Sequence, residues 1–146
     1  MDEMIIRQYS IGDKEAVVNL WKTCNLTKPW NNPEQDINLK LKDSPGLFLV
    51  GTINGIIVAS VMAGYDGHRG WIYYLAVDPE YRKQGLGRRI MAAAEEKLMK
   101  IGCPKIDLMV RKNNLDVIEF YEKIGYGPDD VVTMSRRLIE DELYNG

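Results

Sequence analysis

The sequence predicts an α/β (α+β) fold in which a mixed central sheet is flanked by helices. Two apolar, β-branched runs meet at Asn54-Gly55, a dipeptide that favours the tight turn of an antiparallel hairpin. In the second half, a long stretch with helical spacing lies between two strand-like runs, which is typical of a β-α-β crossover. The 146 residues, of which 45% are hydrophobic, suit one core, so we expect a single domain over residues 1–146.

The first half of the chain predicts a strand, two helices and the hairpin. Met4–Tyr9 has the composition of a short strand, and Ser10 followed by Asp13 is the pattern of a capping box that opens a helix. The segment "NLTKPWNNP" contains two prolines and three asparagines and therefore predicts an irregular loop. Pro33 suits the first turn of a second helix, which we expect to reach about Lys42.

The second half predicts three more strands and two helices. The run "WIYYLAV" is apolar on both faces, which indicates an interior strand, and regular alternation would point Tyr73 and Tyr74 to opposite faces. In order, we expect a turn at Tyr65–Gly70, a strand at Trp71–Val77, a helix from Leu86 to Ile101, a strand at Lys105–Val110, a helix capped by Asn113 or Asn114 and stopped by Gly125, and a strand at about Val131–Arg137. The predicted order is β-α-α-β-β-β-α-β-α-β, with a further final strand left open.

Composition excludes several classes of protein. With 19 basic and 21 acidic side chains the net charge is -2, so bulk electrostatics favours neither nucleic acid nor an anionic membrane as a partner. No apolar run approaches the roughly 20 residues of a membrane span, and "MDEMIIRQYS" lacks a signal-peptide pattern, so we expect a cytoplasmic protein. Cys24, Cys103 and the single histidine, His68, lie at no metal-ligand spacing, which predicts two free thiols and no metal site.

A glycine-rich stretch, "YRKQGLGRR", lies between the predicted interior strand and the long helix. A helix N-terminus offers unpaired N–H groups, and Gly85 and Gly87 would let the backbone curl around an anion such as phosphate. The four cations, Arg82, Lys83, Arg88 and Arg89, would supply further donors. Glycine spacing alone favours a tight turn with solvated cations. The stretch matches neither a P-loop nor a dinucleotide fingerprint.

The same residues resemble a known family. "YLAVDPEYRKQGLGRRI" is similar to the acetyl-CoA motif of the GNAT superfamily of N-acetyltransferases, R/Q-x-x-G-x-G/A, which Arg82 to Gly87 match. "VRKNNLDVIEFYEKIGY" resembles the later family segment, in which an asparagine precedes a helix that carries a tyrosine and ends at Gly-Tyr. The order of elements also agrees. The resemblance implies a ternary complex in which an acceptor amine attacks acetyl-CoA directly, without a covalent acyl-enzyme.

The resemblance also implies site residues. The thioester and the pantetheine arm would lie along the interior strand, the pyrophosphate would lie on the glycine-rich turn, and Tyr121 would protonate the departing thiolate. From the residues alone, Tyr121 is better explained as a helix tyrosine with its ring in the core, and Asn114 could cap the helix as well as contact CoA. The implied cofactor-binding residues are Leu75, Ala76, Val77, Arg82, Lys83, Gln84, Gly85, Leu86, Gly87, Arg88 and Asn114.

The acceptor side is less defined. In the family the segment between the first two helices lines the acceptor, which implies roles for Trp30, Asn32 and Asp36, although Trp30 is equally compatible with a core position. Ribosomal-type relatives carry a glutamate where this chain has Met109, so no base is evident. The remaining hypotheses are a GNAT-fold module that binds acyl-CoA without turnover and, against the acidic net charge, a nucleic-acid-binding protein. Dimers are common in the family, but nothing in the sequence fixes the oligomeric state.

Two other residues are possible bases by residue type. Asp107 is two residues before Met109 on the same predicted strand and should share its face, but a solvated carboxylate at a strand end is the simpler interpretation. His68 has a suitable reference pKa of about 6.5, yet "DGHRG" is turn-like and predicts an ordinary exposed histidine.

Overall fold

Residues 3–140, which the computed structural model describes, form one mixed five-stranded sheet with helices on both faces. The strand order is β1-β2-β3-β4-β5; the first four strands are antiparallel neighbours and β5 runs parallel to β4. The predicted fold class is therefore confirmed. The elements are β1 Ile5–Gln8, α1 Lys14–Thr23, α2 Pro33–Asp43, β2 Phe48–Ile53, β3 Ile56–Tyr65, β4 Gly70–Val77, α3 Leu86–Lys100, β5 Ile106–Leu108 and α4 Leu115–Lys123.

The two faces of the sheet have separate hydrophobic clusters. On one face, α3 packs through Ile90, Met91, Ala94 and Leu98, and Tyr121 of α4 joins the same cluster. We call this the α3/α4 face. The opposite, α1/α2 face is covered by α1 and α2, whose buried residues include Trp21 and Ile37. None of the helices within residues 3–140 combines the length and apolarity that a bilayer crossing demands.

Local sequence signals explain where the elements begin and turn. The Ser10 N–H donates to the Asp13 carboxylate at 2.8 Å, as the predicted capping box requires. The Asn32 side chain accepts from the N–H groups of Glu34 and Gln35, so Asn32 caps α2 directly before Pro33. At the β2–β3 hairpin, Asn54 and Gly55 have φ angles of 51° and 79°, as the dipeptide predicts.

Strand β4 contains a bulge that changes which face its side chains occupy. Met62 pairs with Tyr73 and Ser60 with Ala76, so one residue of β3 lies opposite two of β4, and Tyr74 has a φ angle of 53°. The prediction that Tyr73 and Tyr74 face opposite sides is wrong. Both lie on the α1/α2 face, because the extra residue interrupts the alternation.

The predicted last strand at Val131–Arg137 is wrong for the described residues. This segment is irregular, and its apolar side chains, with Leu138 and Ile139, are 74–89% exposed. As a strand, this segment would carry two apolar side chains on one face and one on the other, and each face would then end in an arginine. The segment therefore has no continuous apolar face to bury. The predicted acidic tail continues into residues 141–146, which lie outside the described residues.

We predict that Trp21→Ala lowers the free energy of unfolding by about 3–5 kcal/mol, as expected for removing a fully buried indole. The Trp21 side chain is 0% exposed, stacks on Tyr74 at 3.8 Å and donates from Nε1 to Ser60 Oγ at 2.8 Å. Trp30→Ala is the matched control, since Trp30 is 53% exposed and should change stability little. Urea denaturation measures both, and equal losses would contradict the assigned core.

Candidate active site

A gap opens where β4 leaves β5. The two strands pair only from Gly70 to Ile72, opposite Ile106 to Leu108, whereas β4 continues to Val77. The Asp78 N–H donates to the Val58 carbonyl at 2.8 Å, so Asp78 belongs to a hydrogen-bonded pair with β3. By alternation, the N–H and C=O groups of Val77 point away from β3 and into the gap.

The glycine-rich turn lies at the end of the gap. None of the backbone N–H groups of residues 83–88 donates to another backbone carbonyl within residues 3–140. Gly85, the residue before α3, has a φ angle of 77°, which an L-residue with a side chain rarely adopts. Together the helix N-terminus and the left-handed turn present successive N–H groups, an arrangement that suits phosphate oxygens.

Gly87 is small because the helix start packs tightly against its neighbours. A Cβ atom at Gly87 would lie 3.1 Å from the Phe120 ring and 3.7 Å from Val77 Cγ2. The second glycine of the motif therefore permits close approach of α3 to α4 and to the end of β4. A larger residue would push the N-terminus of α3 away from the gap.

The guanidinium groups of the stretch bind backbone carbonyls of three different elements. Arg82 Nε donates to the Val77 carbonyl at 3.2 Å, Arg88 to that of Lys123 at 3.0 Å and Arg89 to that of Met4 at 2.9 Å. Lys83 is the one cation of the stretch that no hydrogen bond or ion pair ties to another described residue. Much of the positive charge therefore also fastens β4, α4 and the N-terminal segment to this turn.

Tyr121 is brought to the α3/α4 face of the sheet by α4. Its side chain is 8% exposed, and burial raises the pKa of its hydroxyl to about 12. The ring packs edge-on against Phe120 and Tyr126, while Tyr126 donates to Glu95 at 2.6 Å. Asn114 is the residue before α4, and its side chain does not bond the helix backbone.

A polar cluster lies on the opposite face, at the bulge of β4. The Tyr74 hydroxyl donates to the Asp36 carboxylate at 2.5 Å and accepts from the Asn31 side chain at 3.1 Å. Tyr74 and Asn31 are half-buried, as is Asp36. The cluster joins β4 to the loop before α2 and to α2 itself. Tyr73, on the same face, is 45% exposed.

Trp30 and Arg111 meet at the same end of the sheet. Trp30 is 53% exposed, so it does not occupy the core position that the sequence also allowed. The Arg111 guanidinium lies 5.7 Å from the centre of the Trp30 ring. This contact joins the loop before α2 to the segment after β5. The predicted acceptor residues Trp30 and Asp36 thus lie near β4, whereas Asn32 serves as the cap of α2.

The remaining candidates for a base do not contact the polar cluster. Met109 is 56% exposed. The Asp107 carboxylate, in the middle of β5, lies 3.9 Å from Arg69 and 3.6 Å from Lys105, so it is engaged with cations. His68 is exposed in the turn before β4, as its sequence context predicts. Among residues 3–140, no three His, Cys, Asp or Glu side chains cluster closely enough to hold a metal ion.

Comparison with known proteins identifies the family. The profile of the acetyltransferase (GNAT) family matches residues 14–126. The chain belongs to this family. It is 52% identical over 141 residues to the acetyltransferase ECA0875 of Pectobacterium atrosepticum, an alignment that covers 97% of this chain and all of that protein.

Solved structures share the GNAT fold. Ard1 from Thermoplasma volcanium has a TM-score of 0.77 at 27% identity, covering 90% of this chain and 84% of that one. The PaiA N-acetyltransferase of Thermoplasma acidophilum, solved in complex with coenzyme A, has a TM-score of 0.76 at 21% identity, covering 89% and 93%. In this chain the glycine-rich turn lies directly before α3.

Three features of the site were missed or left open by the sequence. Cys24 was expected only as a free thiol, yet its Sγ lies 3.4 Å from the Val77 carbonyl. The role of Tyr74 depends on the bulge, which no residue pattern marks. The contact between Arg111 and Trp30 could not be predicted from sequence spacing, because it joins residues from distant parts of the chain.

We predict that Gly85→Ala lowers the free energy of unfolding by about 1–2 kcal/mol, because a side chain disfavours the left-handed backbone. A Cβ atom at this position meets no atom within 4 Å, so strain and not collision is responsible. Gly12→Ala is the control, since its Cβ also meets nothing and its φ is not positive. Urea unfolding curves that coincide for both variants would contradict this interpretation.

Proposed function

We propose that this GNAT protein is an N-acetyltransferase that moves the acetyl group of acetyl-CoA directly to a primary amine of a small molecule, a peptide or a protein. The observation that carries the proposal is the gap between β4 and β5, which ends at a turn with unpaired N–H groups. A strand edge followed by an anion-binding helix start suits an extended ligand with a pyrophosphate. Coenzyme A bound to the PaiA structure, which has the same fold, supports this choice.

In this proposal the donor lies along β4. Its pyrophosphate accepts from the N–H groups of Lys83 to Arg88, and Lys83 adds a cation. Its pantetheine arm follows the gap-facing backbone of Leu75 and Val77, as a further strand would. Ala76, between Leu75 and Val77, is 4% exposed and packs into the hydrophobic cluster of the α1/α2 face. Asn114, at the start of α4, is on the other side of the gap and contacts the arm.

The proposed reaction needs no acyl-enzyme. The amine nitrogen attacks the thioester carbonyl carbon, and negative charge develops on the carbonyl oxygen, where the Val77 N–H is placed to stabilise it. The carbon–sulfur bond then breaks, Tyr121 donates its proton to the sulfur that leaves, and the Tyr121 phenolate regains a proton from solvent. The amine loses a proton to solvent or to a nearby base. Because burial holds the pKa of Tyr121 at about 12, its hydroxyl carries that proton throughout the neutral range.

The acceptor approaches from the α1/α2 face. Tyr121 lies on the α3/α4 face, and an attacking group and a leaving group occupy different sides of the reacting carbon. On the α1/α2 face the half-buried Asp36 carboxylate attracts an ammonium group, while the exposed rings of Trp30 and Tyr73 contact its carbon chain. Asn32 acts indirectly by capping the helix that carries Asp36.

The test is incubation of the protein with acetyl-CoA and a panel of alkyl amines and peptides. Release of the CoA thiol together with a mass-detected acetylated product supports the proposal. Tight binding of CoA with no product from any acceptor would favour a module that binds acyl-CoA without turnover. Failure to bind either CoA or acetyl-CoA would remove both functions.

We predict that Tyr121→Phe lowers kcat by about 100-fold, the usual contribution of a general acid, without weakening CoA binding. The control is Tyr126→Phe, which removes a neighbouring hydroxyl that is bonded to Glu95 and not assigned to the reaction. Steady-state kinetics and calorimetry measure both variants. Because the pKa of Tyr121 is about 12, the wild-type rate should show no loss from its ionisation below about pH 11. Equal turnover by Tyr121→Phe and wild type would remove the general-acid role.

We predict that Asp36→Asn raises KM for the amine by about 10- to 100-fold, since a charge-assisted hydrogen bond is lost, and leaves KM for acetyl-CoA unchanged. Glu34→Gln is the matched control. It lies in the first turn of the same helix, but its carboxylate is paired with Lys14 at 3.1 Å on the surface. An equal KM for the amine in both variants would place the acceptor elsewhere.

A further inference from the structure

We propose that Arg82 is a positioning residue, which holds the Val77 carbonyl and thereby aims the Val77 N–H at the thioester oxygen. The inference rests on the proposed function, because the thioester is placed beside Val77. It differs from the expectation that the Arg82 side chain is a phosphate ligand. The guanidinium acts here on the strand and not on the cofactor.

The contact itself is direct. Arg82 Nε donates to the Val77 carbonyl at 3.2 Å across the turn that follows β4. Val77 faces the gap, because its neighbour Asp78 is hydrogen-bonded to β3 and because β5 stops pairing with β4 at Ile72. Without Arg82 this carbonyl would lose its charged partner on the side of β4 where pairing with β5 has ended.

A second donor reaches the same oxygen from the end of α1. Cys24, the residue after α1, places its Sγ 3.4 Å from the Val77 carbonyl. Burial raises the pKa of the Cys24 thiol, and this effect outweighs the lowering of the pKa by Arg82. The sulfur therefore keeps its proton and can donate it in a hydrogen bond. The two contacts come from different parts of the chain and converge on one atom. They fix the peptide group at the end of β4 in a single orientation.

The orientation matters because the N–H and C=O groups of Val77 both point into the gap. A carbonyl oxygen directed at the reacting thioester would oppose the negative charge that develops there. The guanidinium offsets the unfavourable dipole of that carbonyl. By holding the Val77–Asp78 peptide group it also restricts rotation about the Val77 backbone, so the N–H of the preceding peptide group keeps its direction. Preorganised donors lower a barrier because they need no rearrangement during the reaction.

Neighbouring cations provide the contrast. The guanidinium of Arg88 is occupied by the Lys123 carbonyl, whereas Lys83 is tied to no other described residue. Lys83 is therefore the side chain best placed to act as a phosphate ligand. The two roles give different signatures. A phosphate ligand changes CoA affinity and its salt dependence, whereas a positioning residue changes kcat.

The experiment compares Arg82→Gln, Arg82→Lys and the control Lys83→Gln. Calorimetry gives the Kd for CoA at several salt concentrations, and initial rates give kcat and KM. We expect Arg82→Gln to lower kcat by about 10- to 100-fold, with the Kd for CoA and its salt dependence close to wild type. Arg82→Lys, which keeps a donor, should recover part of the rate. Lys83→Gln should weaken CoA binding and flatten its salt dependence.

A spectroscopic measurement separates this inference from the proposed function. The backbone amide signal of Val77 in an ¹⁵N-labelled protein should shift in Arg82→Gln and stay in place in Lys83→Gln, whether or not an acceptor is turned over. An unmoved Val77 signal overturns the inference. So does a loss of CoA affinity in Arg82→Gln that equals the loss in Lys83→Gln. Absence of any acetyl transfer by the wild type overturns the proposed function, and with it the role of Arg82 in the reaction.

Discussion

The bulge at Tyr74 is the constraint on which the rest of the site depends. It gives β4 an extra residue relative to β3, between Met62 and Ser60, just beyond the last residue of β4 that pairs with β5. A non-glycine residue at a φ of 53° is strained and persists only when its surroundings fix it. The Trp21 stack, the Ser60 hydroxyl that donates to the Tyr74 carbonyl, and the bond to Asp36 supply that restraint.

As a consequence, the two faces of the sheet carry different groups of functional residues. Toward α3 and α4 lie the glycine-rich turn and Tyr121, which suit the donor and its leaving group. Toward α1 and α2 lie Asp36 and the exposed ring of Trp30, which suit a cationic acceptor. The end of β4 lies between the two sides. In the proposed reaction its geometry decides whether donor and acceptor meet, which is why the contacts of Val77 matter.

Most of the fold could be predicted because its signals are local. Asn54-Gly55 specifies a hairpin, Pro33 a helix start and Gly85 a left-handed turn, each through the conformations those residues allow. The prediction of a strand at Val131–Arg137 is wrong because strand propensity alone does not supply a neighbouring strand or an apolar face. In the site, the motif located the turn, but the partners of Arg82, Cys24 and Tyr74 depend on long-range packing that the sequence does not display.

The most direct test of the central claim is titration of the ¹⁵N-labelled protein with CoA, followed by amide chemical shifts. The largest changes should fall on residues 83–88, whose N–H groups donate to no other backbone carbonyl of the described residues, and on Val77, whose N–H points away from β3. Residues of β1 and of the outer surface of α2 should remain unaffected. Binding without shifts in the turn, or shifts centred elsewhere on the molecule, would contradict the placement of the donor between β4 and β5.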